Sequence, residues 1–197
     1  MAVTLRAMVR NFDAWVRQGR GVFEFSQDPG CLLRIQLATA RIELDLPDRV
    51  VSPGDAVLLL HLWNERLLQF PPQGPDLAWA KPMQRQFVHS LRMVATCLKE
   101  SSELAQVSAV GGVTVLAGLG TENGGSRLLK RLGFKLIPYT HPLGTFGEFW
   151  ENFYSWVLIW TYNPSALRYR SLWGLKRIEF WMSVRAFLER FGYIAYP

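Results

Sequence analysis

AVLLLHLW (56–63) is apolar except for His61, and the expected fold follows from this stretch. An apolar run of this length, preceded by the turn residues SPGD (52–55), predicts a central strand that is covered on both faces. Two earlier segments, LLRIQL (32–37) and RIELDL (41–46), alternate apolar and polar residues as half-buried strands do. Three sequential strands with short connections predict an antiparallel meander.

Helices and strands alternate through the rest of the chain. Apolar residues at helical spacing predict an amphipathic helix over 3–18, a long helix from about Lys81, and helices near 124–132, 147–164 and 184–191. The further candidate strands are 107–116, 134–138 and 176–183. We therefore predict one α+β domain over residues 1–197. Its mixed sheet would combine an antiparallel meander with parallel strands, and helices would flank it.

The composition is that of a folded domain. Of the 197 residues, 49% are apolar and 13% are aromatic, which is more apolar surface than a disordered chain carries. The first 20 residues hold no signal-peptide core, and no uncharged run of about 18 apolar residues occurs, so we expect a cytoplasmic protein without a spanning helix. The two Cys and three His residues are scattered, so neither a metal site nor a cofactor is expected.

Basic residues concentrate at the two ends of the chain. The net charge of +6 divides into +3 over residues 1–20, −3 over residues 21–126 and +6 over residues 127–197. This asymmetry favours an anionic partner such as a lipid surface. The alternative is a protein with a high isoelectric point and no such partner, and the charge alone is compatible with both.

Polar residues cluster at the end of the central strand, in HLWNER (61–66). His61, Asn64 and Glu65 are candidate catalytic residues, with His61 as a general base, a role that needs an orienting hydrogen bond and a substrate pocket. The structural alternative assigns Asn64 to the N-cap of a short helix and Glu65 to its first turn, where the helix dipole favours an acid. Arg66 would then pair with a surface acid, and His61 would keep a structural hydrogen bond.

An aromatic helix precedes the basic end of the chain. GEFWENFYSWVLIWTYNP (147–164) predicts a helix whose second half is apolar all round, and such helices are buried or lie in an interface. Basic residues interleaved with aromatic ones follow it, a combination that suits the headgroup level of an anionic bilayer. The candidate anionic-surface residues are Arg168, Arg170, Lys176 and Arg177. The alternative is a core helix with an ordinary basic loop. Nucleic acid is not expected, because the aromatic run does not alternate with the basic residues.

PGDAVLLLHLWNERL (53–67), preceded by LLRIQL, resembles the YkoP-like domain family, which occurs alone and appended to polysaccharide deacetylases. The helix after PDLAW, RLGFKLIP (131–138) and RIEFWMS (177–183) match the same pattern, so the resemblance covers roughly residues 10–190. It implies a cell-envelope connection by association, with an envelope-biosynthesis protein as a partner, and it carries over no catalytic residues. The paired aspartates and two-histidine metal site of the deacetylases are missing, so deacetylation by this chain is not expected.

The order of elements is also similar to that of the GNAT acyltransferases, which have an antiparallel meander, a helix, a splayed parallel strand, another helix and a further strand. That family holds the acyl-CoA pyrophosphate on glycine-rich backbone N–H groups where the helix after the fourth strand begins. The corresponding loop here, LLQFPPQGPDLAWAKP (67–82), has a single glycine, Gly74, which is followed by Pro75 and Asp76, and this argues against acyl-CoA at this place. A second glycine-rich loop, GLGTENGGSR (118–127), is either an anion cradle or an ordinary surface loop.

The sequence therefore favours a non-catalytic accessory or binding domain, peripheral to the inner membrane and linked to envelope polysaccharide or lipid metabolism. Its small-molecule ligand is not indicated by any motif. The alternative is a GNAT-like acyltransferase that acts near His61 and Glu65 on a small or envelope-related substrate. The environment of His61 distinguishes these two hypotheses. An acyltransferase would have His61 open into a concave polar pocket, whereas a non-catalytic domain would have it packed beneath tryptophan side chains.

Overall fold

The computed structural model describes residues 2–74, 76–115, 124–169 and 175–192. The helices in these ranges are α1 (Ala2–Gly19), α2 (Leu77–Glu100), α3 (Gly124–Arg131), α4 (Gly144–Tyr162) and α5 (Val184–Phe191). The strands are β1 (Leu33–Thr39), β2 (Leu44–Leu46), β3 (Arg49–Val51), β4 (Ala56–Leu62), β5 (Ala109–Thr114), β6 (Lys135–Pro138) and β7 (Ile178–Ser183). Short 3-10 turns cover Asn64–Arg66, Ser102–Leu104 and Pro164–Tyr169.

Five of these strands form one mixed sheet in the order β1-β4-β5-β7-β6. The pair β4–β5 is parallel and α2 connects its two strands, whereas the other neighbours are antiparallel. The parallel pairing extends only from Val57 beside Ala109 to Leu59 beside Gly111. The α+β class and the mixed sheet flanked by helices are therefore as the sequence predicts.

The middle segment of the predicted meander lies outside this sheet. β1 pairs directly with β4, and β2 pairs instead with β3 in a separate two-stranded hairpin. Leu44 and Leu46 do point inward, as their alternation indicates, but they pack on the face of the main sheet against Val57 and Trp181. The hairpin therefore covers the sheet rather than widening it.

The main core lies on the opposite face of the sheet, beneath α2 and α5. Its buried side chains from these two helices are Leu91, Val94, Ala95, Leu98, Phe187 and Phe191. They pack on Ile35, Leu58, Leu60, Val110, Phe180 and Met182 from the strands. The apolar stripe that the sequence predicts on the long helix is thus the stripe that faces the sheet.

α2 begins about one turn earlier than the sequence indicates. Asp76 is its N-cap, with a side-chain oxygen that accepts a hydrogen bond from the Trp79 N–H at 2.8 Å. The helix therefore starts at Leu77, and Pro82 lies inside it. The cap gives a partner to one of the N–H groups that a helix start leaves free.

α1 and α4 form an antiparallel pair at the face of the sheet that carries His61. Asp13 of α1 contacts Tyr154 of α4, and Arg6 lies over the ring of Trp160, so that the two helices run in opposite directions. At the end of α4, the Asn163 side chain accepts a hydrogen bond from the Phe70 N–H and so ties the helix to the segment after β4. Arg170 and residues 118–123 of the glycine-rich loop lie outside the described residues.

Candidate functional site

His61 lies on β4, on the sheet face turned away from the main core. Its cross-strand neighbour on β1 is Arg34, and its Nε2 lies 2.9 Å from the side-chain oxygen of Gln36. The ring is half-buried. Burial first, and then the positive charges of Arg20 and Arg34, lower the pKa of His61 from 6.5 to about 4. His61 is therefore uncharged at neutral pH, with Nε2–H donating to Gln36.

This environment does not equip His61 for base catalysis. A catalytic imidazole is usually oriented by a carboxylate or carbonyl group, whereas the hydrogen bond of His61 in the described structure goes to a neutral amide. A pKa near 4 also makes the ring a weak proton acceptor. Two surface cavities of about 370 and 360 Å³ lie away from His61, one against Met93 and Cys97 and the other against Gly133 and Arg190.

Arg34 is the buried centre of an ion network beneath α1 whose carboxylates are partly exposed. Its side chain is 3% exposed, and it contacts Glu24 at 2.9 Å and Glu65 at 3.1 Å. Its guanidinium also lies 4.3 Å from the ring centre of Trp63. Burial opposes the ionisation of Glu65, but hydrogen bonds from Arg34 and the charges of Arg34 and Arg17 together lower the pKa of Glu65. Glu65 is therefore an ion-pair partner.

Asn64 begins the 3-10 turn and does not cap it. Trp63 occupies the N-cap position and no side chain caps the turn, so the expected capping role of Asn64 is wrong. Arg66 stacks at 3.4 Å from the ring centre of Trp63 and donates to the carbonyl oxygens of Asp28 and Cys31, and among the described residues it forms no ion pair with the expected Glu43 or Glu65. Within the described residues, no hydrogen bond joins the side chains of His61, Asn64 and Glu65 to one another. The three candidate catalytic residues are neighbours without forming a catalytic arrangement.

The inner face of α1 carries a buried acid, Asp13, beside the partly buried Val9 and Val16. Asp13 is 2% exposed and accepts hydrogen bonds from the Tyr154 hydroxyl at 2.5 Å and from Nε of Arg17 at 3.1 Å. Arg17 also reaches Glu65 at 3.4 Å, which connects α1 to the network around Arg34. Burial, followed by the hydrogen bond to Asp13 and its charge, raises the pKa of Tyr154, so that its hydroxyl remains a donor at neutral pH.

The outer face of α1 is apolar. Leu5 is 50% exposed, Met8 64%, Phe12 53% and Trp15 69%. Among the described residues, no side chain of α1 belongs to either buried core cluster. The helix is thus inverted relative to an ordinary surface helix, whose apolar stripe faces the core.

α4 adds a second row of exposed apolar side chains. Leu143, just before the helix, is 68% exposed, and Phe146, Trp150 and Phe153 are 66%, 52% and 43% exposed. Of the residues of α4, only Gly147 and Thr161 are buried. We call the two rows together the α1–α4 face, defined by Leu5, Met8, Phe12, Trp15, Leu143, Phe146, Trp150 and Phe153.

The candidate anionic-surface residues have different environments. Arg168 and Lys176 are exposed. Arg177 is held inside the fold, because its guanidinium donates to Asn152 and to Ser155 and lies 3.5 Å from a carboxylate oxygen of Glu151. Burial lowers the pKa of Arg177, and the negative charge of Glu151 offsets part of this effect. Arg170 lies outside the described residues.

Sequence reasoning misses the ion network and the inverted helix. One of two usable signals is local: Asp13 and Arg17 are four residues apart, a spacing that pairs them on one face of a helix. An arginine between Leu33 and Ile35, opposite His61 on the next strand, is the other sign of a polar centre on this sheet face. Neither signal says which face of α1 is turned inward.

Comparison with known proteins identifies the family. The family model described as the YkoP domain matches residues 42–191, which is most of the chain and leaves α1 and β1 before the matched part. No curated protein and no solved structure matches the chain. In the described part of the chain, no helix has both the length and the apolar character needed to cross a membrane.

Proposed function

Because this chain belongs to the YkoP domain family, whose description names no reaction, we propose from its own surface that it is a non-catalytic binding domain that docks on an anionic membrane. The observation that carries the proposal is the exposure of the aromatic side chains of α4. The second half of α4, residues 156–160, is half-buried, whereas Phe146, Trp150 and Phe153 in the first half are 66%, 52% and 43% exposed, and a cluster of exposed aromatic side chains marks an interaction surface.

The size of the α1–α4 face supports this proposal. Its eight side chains are each between 43% and 69% exposed. At about 100 Å² of exposed surface per side chain, they present several hundred Å², which is the range in which an apolar patch marks an interaction site. Transferring the exposed half of one such side chain out of water would contribute about 1 kcal/mol to the free energy of binding.

The charge near this face supports an anionic surface as the partner. Arg168 and Lys176 are exposed after α4, whereas Arg10 is turned toward α4, with its guanidinium 5.8 Å from the ring centre of Tyr162. Each basic residue close to an anionic bilayer contributes about 1 kcal/mol. Arg170 remains part of the proposed set, whereas the internal contacts of Arg177 leave its guanidinium little freedom to bind a headgroup.

Vesicle flotation tests the proposal. We expect the protein to float with equimolar phosphatidylcholine–phosphatidylglycerol vesicles at low salt, and to bind phosphatidylcholine vesicles much less. Arg168→Gln with Lys176→Gln should weaken the binding about tenfold or more and flatten its salt dependence. Arg185→Gln is the matched control, because Arg185 has an exposed side chain on α5. Absence of flotation with anionic vesicles at low salt would refute the proposal.

A second candidate function is a GNAT-like acyltransferase. The observation that favours it is the parallel pair β4–β5, which is paired over three residues of each strand and linked by α2. The cap on α2 opposes it, since the Asp76 carboxylate occupies the place where a pyrophosphate would bind backbone N–H groups. Thermal shift with acyl-CoA distinguishes the candidates: we expect no stabilisation, and clear stabilisation would favour the acyltransferase.

The cell-envelope setting is a further part of the proposal. It is supported only by the association of YkoP-like domains with polysaccharide deacetylases, and it makes an envelope-biosynthesis protein the expected neighbour at the membrane. Crosslinking in cells would test this. Recovery of enzymes of envelope polysaccharide or lipid metabolism is expected, and recovery of unrelated proteins alone would remove this part of the proposal.

A further inference from the structure

A groove of about 370 Å³ lies beside the second half of α2. Its floor is apolar, because Phe25, Met93 and Cys97 line it and pack against the edge of the main core. Volumes of about 300–1,000 Å³ are usual for small-molecule sites. Since α2 covers the sheet face opposite the one that carries α1 and α4, the groove is separate from the proposed docking surface.

The two walls of the groove are joined by hydrogen bonds next to it. One wall is α2, and the other is the segment before β1 that contains Phe25. A carboxylate oxygen of Asp28 lies 2.9 Å from Nε2 of His89 on α2. The Leu32 N–H donates to the Ser90 hydroxyl, also on α2, at 2.7 Å. These contacts hold the segment against the helix, so the groove is preformed.

One end of the groove is negatively charged. Glu100 lines the groove there and is the last residue of α2, where the aligned peptide dipoles place a partial negative charge. Within the described residues, the Glu100 carboxylate forms no ion pair. The neighbouring Lys99 donates to the carbonyl oxygen of Gly192 instead. Burial raises the pKa of the Cys97 thiol, and the charge of Glu100 raises it further, so the field of Glu100 reaches the floor of the groove.

The polar atoms at this end suit a cation that donates hydrogen bonds. The Ser101 hydroxyl lines the groove beside Glu100 and does not cap the 3-10 turn that follows. An ammonium group would donate to this hydroxyl and to the carboxylate, while an apolar body would cover Phe25 and Met93. An anion would be repelled by the charge of Glu100 and by the negative end of the helix dipole.

From these observations we infer that the groove binds a small organic cation. The ligand is an alkyl- or arylammonium compound whose apolar part lies on Phe25, Met93 and Cys97 and whose charge meets Glu100. Cys97 belongs to the apolar floor and is not a nucleophile, since a thiol with a raised pKa is mostly protonated at neutral pH. The inference does not rest on the proposed docking function, because the groove and the α1–α4 face lie on opposite sides of the sheet.

Titration of the full chain with 4-phenylbutylamine tests this inference. The matched probes are 4-phenylbutanol and 4-phenylbutyrate, which keep the apolar body and replace the ammonium group by a hydroxyl or a carboxylate. The methyl signal of Met93 in NMR spectra, identified by its absence from Met93→Leu, reports occupancy of the groove. For the amine we expect a saturable shift of this signal with a dissociation constant of about 1 mM or tighter. The two other probes should bind about fivefold more weakly, or weaker still.

Single substitutions of two acids locate the site. Glu100→Gln should weaken binding of the amine about fivefold. Glu103→Gln is the matched control and should leave binding unchanged, because Glu103 is an exposed acid close in sequence that does not line the groove. Both side chains are exposed, so both variants should keep the urea midpoint of the wild type. The inference is overturned by no saturable shift with the amine, by equal or tighter binding of either other probe, or by equal effects of the two substitutions.

Discussion

Asp13→Ala tests how strongly the polar contacts of Asp13 hold α1 on the domain. The carboxylate of Asp13 is buried and receives two hydrogen bonds, from the Tyr154 hydroxyl at 2.5 Å and from Nε of Arg17 at 3.1 Å. Removing it leaves the Tyr154 hydroxyl without this acceptor in a half-buried position. Arg17 keeps its contact with Glu65, so the change acts mainly on the junction between α1 and α4.

The expected magnitude follows from these contacts. A hydrogen bond to a charged group contributes about 1.5–3 kcal/mol to stability. The two hydrogen bonds of Asp13 share one carboxylate, so the loss of both is less than additive, and we take about 3 kcal/mol for the two together. Alanine is the better helix former by about 0.5 kcal/mol, which offsets part of the loss. A net change of about 2.5 kcal/mol would raise the population of detached α1 by roughly 50- to 100-fold.

Hydrogen exchange measures this directly. Amides of α1 should exchange roughly 50- to 100-fold faster in Asp13→Ala, whereas amides of β4 and β5 should keep their protection, since α1 contributes no described residue to the core clusters. Asn11→Ala, on the exposed side of the same helix, is the control and should not raise exchange. Unchanged exchange in α1, or an equal loss of protection throughout the domain, would refute the reasoning.

Two further predictions concern the sheet. The pKa of His61 is about 4 in the folded protein and 6.5 in the unfolded chain, so the unfolded chain binds the proton first as pH falls. The free energy of unfolding should therefore drop by up to about 3 kcal/mol between pH 6.5 and pH 4. Urea titrations of His61→Gln at several pH values should lack this part of the drop. Gly111→Ala should lower the free energy of unfolding by about 3 kcal/mol or more, because the added methyl group would overlap the Phe180 carbonyl oxygen and the Trp181 indole. Gly124→Ala is the control and should leave the free energy of unfolding unchanged, because there is open space around Gly124. Equal urea midpoints for the two variants would contradict this prediction.

Periodicity predicts most of the elements because it depends on local spacing. The apolar run at 56–63 becomes β4, and the stripe of the long helix faces the sheet through Leu91, Val94 and Leu98. The start of α2 is displaced because an apolar period does not reveal a cap, and Asp76 adds about one turn before the predicted start.

Pairing between distant segments is harder to predict. The alternation in residues 41–46 correctly indicates that Leu44 and Leu46 are buried, yet alternation is the same for a strand in a sheet and for a hairpin lying on one. Only the direct pairing of β1 with β4 excludes the segment from the main sheet.

In the candidate site, too, local spacing is predictable from the sequence and contacts between distant segments are not. The spacing of apolar residues along α1 predicts that the helix is amphipathic, but it does not predict the side on which the domain lies. Here the side is decided by contacts between residues far apart in the sequence, Asp13 with Tyr154 and Arg17 with Glu65. Likewise, the state of His61 depends on Gln36 and on two arginines from other segments. Whether α1 and α4 meet a membrane remains a prediction.

Quenching of tryptophan fluorescence by acyl-chain-brominated lipid tests that prediction most directly. Trp15 and Trp150 lie on the two helices of the α1–α4 face, and changing both to phenylalanine preserves an apolar surface while removing the two reporters. With anionic brominated vesicles, we predict strong quenching of the wild type and a clear loss of that quenching in the Trp15→Phe, Trp150→Phe variant. Equal quenching of the two proteins, with both bound to the vesicles, would contradict insertion through this face.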